Sequence, residues 1–267
     1  MNAAAAPARA GKLRPPLLRG YYWLLVALLF LPIVLLFVFS FNDSHILALP
    51  LTGFTTQWYE RLFATPALLR AAGASVIVAA ASSLVATALG TMVALLVVRF
   101  DFRAKALLVG LSVLPLVVPF VVLAVALLIL FRVLDIELSL VTVGLAHAVV
   151  ALPFTLLIIL SRLVGFERSV EEASMDLGAT YPATLRLVVL PMIAPAIVAA
   201  WLTAFTVSFD EFALGNFLAG RQPTFPVYLY AQLKNTQSLP ILIAAAVLLL
   251  TFTIVLVLLA ERVRRQR

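Results

Sequence analysis

Cysteine is absent from the chain of 267 residues, and histidine occurs only at His45 and His147. Disulfide bonds, thiolate catalysis and cysteine-based metal sites are therefore excluded, and we expect no histidine-based metal centre. Charge is also scarce, because Asp, Glu, Lys and Arg together make up 12% of the residues, whereas a soluble protein carries about 25%. So few charges cannot cover the surface of a soluble domain of this size.

Apolar residues take up 64% of the chain, and the mean hydropathy is +1.15. A helix needs about 20 largely apolar residues to cross about 30 Å of hydrocarbon, and in lipid only helices or closed barrels satisfy the backbone. The sequence therefore predicts an all-α, polytopic membrane protein with six transmembrane helices. They are expected at residues 21–41, 72–98, 106–131, 138–160, 192–217 and 239–260.

The basic residues are distributed unevenly between the two sides of the membrane. Six spans place both termini on one side, and 14 of the 19 Lys and Arg residues fall on that side. The positive-inside rule assigns this side to the cytoplasm. We therefore expect cytoplasmic tails at residues 1–20 and 261–267 around a transmembrane domain at residues 21–260. Because topology accounts for the net charge of +7, no nucleic-acid partner is expected.

The cytoplasmic loop at about residues 165–191 is the longest on its side of the membrane. Ser169 and Glu172 have the spacing of a capping box, which predicts the start of a short helix. Gly178 can end that helix, because glycine adopts the left-handed conformation at low cost. Pro182 suits the first turn of a second helix, which we expect to stop at the proline that closes the loop. Two such helices at the membrane surface would form a rigid protrusion, and we expect a partner to dock there.

This loop also carries a recognisable motif. It resembles the EAA motif of ABC import permeases in the run Glu172-Ala173-Ser174-x-x-x-Gly178 and the later run Val188-x-Leu190-Pro191. The family pattern has Ala in place of Ser174 and Ile in place of Val188. In that family the motif forms a coupling helix, which sits in a cleft of an ATPase subunit and transmits its closure to the membrane spans. The resemblance implies four docking residues, which are Glu172, Ala173, Asp176 and Gly178. The alternative for Glu172 is a role only in its own helix cap.

Other short runs resemble permeases of the spermidine/putrescine branch. They are Phe41-Asn42-Asp43-Ser44, Gly53-Phe54-Thr55-Thr56-x-Trp58-Tyr59, Arg99-x-x-x-Arg103-x-Lys105 and Ser208-Phe209-Asp210-Glu211-Phe212. The resemblance implies a multi-pass subunit of the bacterial inner (plasma) membrane that imports polyamines by alternating access. It also implies ABC ATPase subunits that use ATP and Mg, a second permease subunit that is a different chain, and a periplasmic solute-binding protein. Lipid surrounds such a subunit, and no cofactor or metal is expected on this chain itself.

Two acidic residues stand inside the predicted fifth span. A carboxylate at the bilayer centre costs roughly 2.5–3.5 kcal/mol on insertion scales, so it usually faces a cavity or a partner. We expect Asp210 and Glu211, with Ser208 and Trp201 on the same helix, to line a pathway for a cationic solute. Two alternatives stay open: the pair sets helix packing only, or one carboxyl is protonated and structural.

The sequence has no Gly-x-x-x-x-Gly-Lys-Ser/Thr phosphate loop, so we expect a transporter subunit that is not itself an enzyme. Ferric iron or an inorganic anion is an alternative substrate, because related permeases carry them. An ion-coupled secondary transporter is a further alternative, but six spans without a visible inverted repeat argue against it. A membrane-embedded hydrolase lacks support, because neither His-Glu-x-x-His nor Gly-x-Ser-x-Gly occurs.

Overall fold

A computed structural model describes residues 16–45 and 49–265, so residues 1–15 and 266–267 of the predicted tails lie outside the described part. The helices are α1 (Pro16–Phe39), α2 (Gln57–Phe63), α3 (Pro66–Arg99), α4 (Lys105–Val113), α5 (Phe120–Val133), α6 (Leu140–Val164), α7 (Arg168–Asp176), α8 (Tyr181–Thr184), α9 (Leu190–Phe209), α10 (Ala213–Leu218), α11 (Phe225–Gln232) and α12 (Leu239–Arg265). The two described parts contain no β-strand, and their single isolated bridge joins Asn42 to Phe54.

The prediction of an all-α membrane protein is confirmed. Among the described residues, five continuous helices are long and apolar enough to cross a bilayer, and the bent pair α4–α5 can form a sixth span. The first and last of them extend past their expected limits, since α1 begins at Pro16 and α12 runs to Arg265. The large apolar side chains of α1 are exposed along nearly its whole length, as lipid-facing side chains are.

The span expected at residues 106–131 is not one continuous helix. After α4 the chain makes a short 3-10 turn at Leu114–Leu116, and α5 leaves at an angle of 107° to α4. Pro115 lies in that turn and Pro119 is the N-cap of α5. Proline lacks the backbone N–H that would continue the ladder and clashes with the preceding turn. Two prolines four residues apart therefore break the span instead of merely bending it.

The fifth span also differs from its prediction at both ends. The helix expected to stop at Pro191 continues from α8 through a π-helical turn at Leu185–Val189 directly into α9. The wider turn precedes Pro191, whose missing N–H falls in the first turn of α9, where it costs little. At the other end α9 stops at Phe209 instead of residue 217, and α10 restarts the helix at Ala213.

The centre of the molecule is a close-packed group of α3, α6 and α9. Small side chains allow these helices to approach, and the fully buried ones include Ala79, Ala86, Ala94, Ala151, Ala200 and Ala204. The tightest point is Gly90 on α3, where an added Cβ would lie 2.3 Å from Thr155 Oγ1 and 3.0 Å from the backbone nitrogen of Leu156. The Thr155 hydroxyl donates to the carbonyl oxygen of Ala86 at 2.9 Å, which joins α6 to α3.

We predict that Gly90→Ala lowers the free energy of unfolding by about 1–3 kcal/mol, because the new methyl group overpacks the contact between α3 and α6. Gly110→Ala is the matched control, since no atom of the described part of the chain lies within 4 Å of the Cβ position of Gly110. The control should leave stability unchanged or slightly raised, because alanine favours helix over glycine. Thermal unfolding of the detergent-purified protein measures both, and equal melting temperatures for the two variants would refute the close contact.

Candidate functional site

The loop at about residues 165–191 projects a short helix, α7, which ends just before Gly178, as predicted. This glycine has φ +92°, a left-handed conformation that other residues adopt only at a cost. Its N–H donates to the Met175 carbonyl at 2.9 Å, and the N–H of Ala179 donates to the Ser174 carbonyl at 3.2 Å. These two bonds make a Schellman motif, which satisfies the last carbonyls of the helix and fixes the direction of the chain beyond it.

The predicted capping box at the other end of α7 is wrong. The helix starts at Arg168 with Glu167 as its N-cap, and no side chain caps it. Ser169 therefore lies inside the first turn, and Glu172 is too far along the helix to close a cap at Glu167. The first turn is held by tertiary contacts instead, one of which is the 3.2 Å bond from Arg168 Nη2 to the carbonyl oxygen of Val98.

The strongest of these contacts joins Glu171 of α7 to Arg99 at the end of α3. The Arg99 guanidinium donates to the Glu171 carboxylate, and both side chains are buried. The same guanidinium lies over the ring of Phe166, 5.6 Å from its centroid. Within the described residues Arg99 Nε has no hydrogen-bond partner. The carboxylate of Glu171 is therefore the main group that neutralises this buried positive charge. Sequence reasoning missed Glu171, because its partner lies 72 positions away.

The four predicted docking residues all lie on the exposed surface of the protrusion; they are Glu172, Ala173, Asp176 and Gly178. Leu177, which sequence reasoning also missed, is 90% exposed beside them. Single exposed apolar side chains are common on protein surfaces, so Leu177 adds an apolar contact to this face without by itself identifying a partner. Ser174 faces the other way, and its hydroxyl is 3.1 Å from that of the buried Thr184, so one of the two residues that depart from the family motif ties α7 to α8.

The two acidic residues at the end of α9 point in different directions. Asp210 is the C-cap of α9 and is exposed. Its carboxylate accepts from the Thr253 hydroxyl of α12 at 3.0 and 3.1 Å. Glu211 is buried, and its carboxylate accepts from the backbone N–H groups of the first turn of α10. Those donors are Ala213 at 2.8 Å, Leu214 at 2.7 Å and Gly215 at 3.3 Å.

Glu211 also closes a buried polar network that joins three helices of the core. His147 Nε2 on α6 lies 3.4 Å from Glu211 Oε2, and His147 Nδ1 is hydrogen-bonded to the Ser208 hydroxyl at 2.7 Å. Ser208 in turn lies 2.9 Å from the hydroxyl of Ser82 on α3. Within the described residues His147 Nε2 makes no hydrogen bond, so its contact with Glu211 is a close approach only. The position of the break between α9 and α10 is held by the backbone N–H groups that donate to Glu211.

Trp201 lies apart from the acidic pair. It precedes Asp210 by nine residues on α9, which turns it roughly half a revolution away at about 100° per residue. Together with Thr87 and Thr91 it lines a cavity of about 280 Å³ between α3 and α9. The structure thus brings Ser208 and Glu211 together through His147, and it places Asp210 and Trp201 on separate faces.

Comparison with known proteins gives the family. Residues 86–267 match the family described as binding-protein-dependent transport system inner membrane component. The chain belongs to this family. It is a multi-pass permease of an ABC importer, as the resemblance of its motifs implies.

Relatives among characterised permeases cover most of the chain. The spermidine/putrescine transport system permease protein PotC of Escherichia coli (strain K12) is 35% identical over 251 residues, which are 93% of this chain and 94% of PotC. The putrescine transport system permease protein PotI of the same strain is 33% identical over 222 residues, covering 77% and 76% of the two chains.

Solved structures of ABC importers share the fold. A chain of the bacterial ABC transporter that imports the acidic polysaccharide alginate aligns over 94% of this permease and 93% of its own length, with a TM-score of 0.71 and 16% identity. A chain of the MetNI methionine ABC transporter in an inward-facing conformation aligns over 74% and 94%, with a TM-score of 0.62 and 20% identity. At these identities the likeness concerns the helical fold alone.

Two adjacent glutamates of α7 allow a sharp test of the geometry. We predict that Glu171→Ala destabilises the permease by about 3–5 kcal/mol, because it leaves the Arg99 charge buried without its partner. Glu172→Ala is the matched control and should change stability by less than about 0.5 kcal/mol, as exposed positions do. Thermal unfolding of the purified protein measures both variants.

A second substitution distinguishes loss of the ion pair from general damage to α7. Adding Arg99→Met to Glu171→Ala removes the unpaired charge, so the double variant should recover part of the lost melting temperature. A double variant that is less stable than Glu171→Ala alone, or a Glu172→Ala variant equally destabilised, would contradict the assigned roles of these two residues.

Proposed function

We propose that the chain is a permease subunit that imports polyamines such as spermidine and putrescine, driven by ATP hydrolysis in partner subunits. The observation that carries this proposal is the 35% identity to PotC over 93% of the chain. The alignment with PotI covers 77% of the chain, and the name of that protein, a putrescine permease, points to the same class of cation. A ferric-iron or anion importer would share the fold and is the alternative substrate class.

The exposed surface of α7 is the proposed docking site for an ABC ATPase. Glu172, Ala173, Asp176 and Gly178 supply its polar and backbone groups, and Leu177 supplies an apolar contact. Because Glu171 is paired with Arg99 and Ser174 with Thr184, a push on α7 reaches α3 and α8 directly. ATP and Mg are used on the ATPase subunits, and the permease contributes the mechanical link and no catalytic group.

The remaining subunits follow from the same class of transporter. We propose a second permease subunit of different sequence and a periplasmic solute-binding protein that delivers the polyamine. Fourteen of the 19 basic residues lie on the side of the termini and α7, which supports a cytoplasmic position for both termini. Alternating access then requires the spans to open in turn toward the binding protein and toward the cytoplasm.

Asp210 is the proposed contact for a substrate ammonium group. It is the exposed member of the acidic pair, and one threonine hydroxyl leaves its carboxylate with free acceptor positions. Glu211 has three backbone N–H donors and faces His147, so its role, like that of Ser208, is to position the break that presents Asp210. Trp201 contributes an aromatic face to the cavity between α3 and α9, and such faces attract cations.

The first experiment measures ATP hydrolysis by the whole complex in liposomes, with its binding protein and with or without spermidine or putrescine. We expect polyamine-loaded binding protein to stimulate hydrolysis. If polyamines do not change the rate of hydrolysis, the assignment as an importer stands and the proposed substrate is overturned. If no ATPase co-purifies with the permease, the docking role of α7 is overturned instead.

In the same assay Gly178→Pro should abolish the stimulation. Proline cannot adopt the positive φ of Gly178 and lacks the N–H that bonds to Met175, so the end of α7 would be redirected. Gly165→Ala is the control in the same loop, because Gly165 has an ordinary φ of −85° and its Cβ position is 3.9 Å from the nearest atom. Stimulation retained in Gly178→Pro would contradict the coupling role of this turn.

We predict that Asp210→Asn lowers polyamine uptake into liposomes roughly tenfold, because a hydrogen bond to a charged group contributes about 1.5–3 kcal/mol, with little change in melting temperature. Asp135→Asn is the matched control: Asp135 is exposed and has φ 54°, a conformation that asparagine tolerates. Uptake equal in the two variants would exclude Asp210 from the pathway.

A further inference from the structure

Two arginines from distant parts of the chain line one cavity of about 480 Å³ at the end of the molecule opposite α7. Arg70 belongs to α3, and Arg221 belongs to the loop between α10 and α11. Gln222 and Tyr228 add polar groups to the same wall. Both arginine side chains are exposed, and within residues 16–45 and 49–265 neither has an acidic partner. The cavity therefore presents two uncompensated positive charges.

The depth of this cavity follows from the length of α3. Arg70 and Arg99 stand 29 residues apart on one continuous helix, which at about 1.5 Å per residue separates them by about 44 Å. A bilayer with its headgroups is about 40–45 Å thick. Because Arg99 meets the coupling helix at one membrane surface, Arg70 lies at the level of the headgroups in the opposite leaflet.

The loop that carries Arg221 is held firmly against α3 and α6. The backbone N–H of Phe225 donates to the buried Ser75 hydroxyl at 2.8 Å, and the Thr142 hydroxyl donates to the Leu218 carbonyl at 2.9 Å. Gly220 has φ +62°, and an added Cβ there would lie 2.2 Å from the carbonyl oxygen of Leu138, so only glycine permits this approach. These contacts hold Arg221 at the same cavity as Arg70.

A second cavity, of about 260 Å³, continues from the first toward the middle of the membrane. The two share Ile77 of α3 and Leu140 of α6 in their linings. The walls of the second are almost wholly apolar, and deeper along the groove they include Val85 and Leu145. A groove between two spans thus changes from cationic at headgroup depth to apolar below it.

We propose that this groove between α3 and α6 binds one anionic phospholipid of the leaflet opposite the coupling helix. Its phosphate would lie between the guanidinium groups of Arg70 and Arg221, which match phosphate oxygens in geometry and charge. One acyl chain would follow Ile77 into the second cavity. A free phosphate ion would leave that apolar cavity without a partner, whereas a phospholipid satisfies both parts with one molecule.

Native mass spectrometry of the whole transporter complex tests the proposal, after purification from an equimolar mixture of phosphatidylglycerol and phosphatidylethanolamine. The wild type should retain phosphatidylglycerol in preference to phosphatidylethanolamine. The double variant Arg70→Gln/Arg221→Gln should retain about tenfold less, since two charged hydrogen-bonding groups are lost. Arg132→Gln is the control, because Arg132 is an exposed arginine at the end of α5 that lines neither cavity. Equal retention in the double variant and the control would overturn the proposal.

Two further measurements separate this lipid from other occupants. Ile77→Trp keeps both arginines and fills the groove, so it should also reduce retention of phosphatidylglycerol; unchanged retention would overturn the two-part site. Phosphatidylglycerol should raise the melting temperature of the wild type, and inorganic phosphate should not. An equal effect of inorganic phosphate, or loss of the second permease subunit from the double variant, would assign the face to a free anion or to a subunit contact instead.

Discussion

The close contact of α3 with α6, which needs a glycine at position 90, holds the functional parts of this permease in register. One end of α3 carries Arg99, which pairs with Glu171 of α7. Its middle contributes Ser82 to the polar network beside the break of the fifth span. Toward its other end Ser75 holds the start of α11, and Arg70 lines the cavity there. A continuous helix of 34 residues therefore connects the three levels without a hinge.

Burial distinguishes the roles of the acidic side chains in two adjacent pairs. Glu171 and Glu211 are both buried, and each has the partners that a charge needs in such a place. Asp210 and Glu172 are exposed and keep acceptor capacity for groups outside the chain. In both adjacent pairs, Glu171–Glu172 and Asp210–Glu211, one carboxylate maintains the fold while its neighbour faces outward. The chemical type of the residue is the same, and only the surroundings differ.

Hydropathy and local signals were enough to predict the apolar spans and the turn at Gly178, because both depend on residues close in sequence. The break in the third span was not predictable in this way. A proline inside a membrane helix can bend it or interrupt it, and the outcome at Pro115 and Pro119 depends on neighbouring helices. The same holds for Asp210 and Glu211, whose divergence follows from where α9 ends. The pairing of Arg99 with Glu171 spans 72 positions and had no local signal.

Leu177 has a consequence for how the transporter assembles. Covering its side chain, which is 90% exposed in the isolated subunit, would contribute about 1.5–3 kcal/mol, or roughly ten- to a hundredfold in an association constant. Until a partner arrives, the same side chain faces water at the tip of a rigid turn. An isolated subunit therefore keeps this leucine in water, and a docked partner that covered it would gain that free energy on binding.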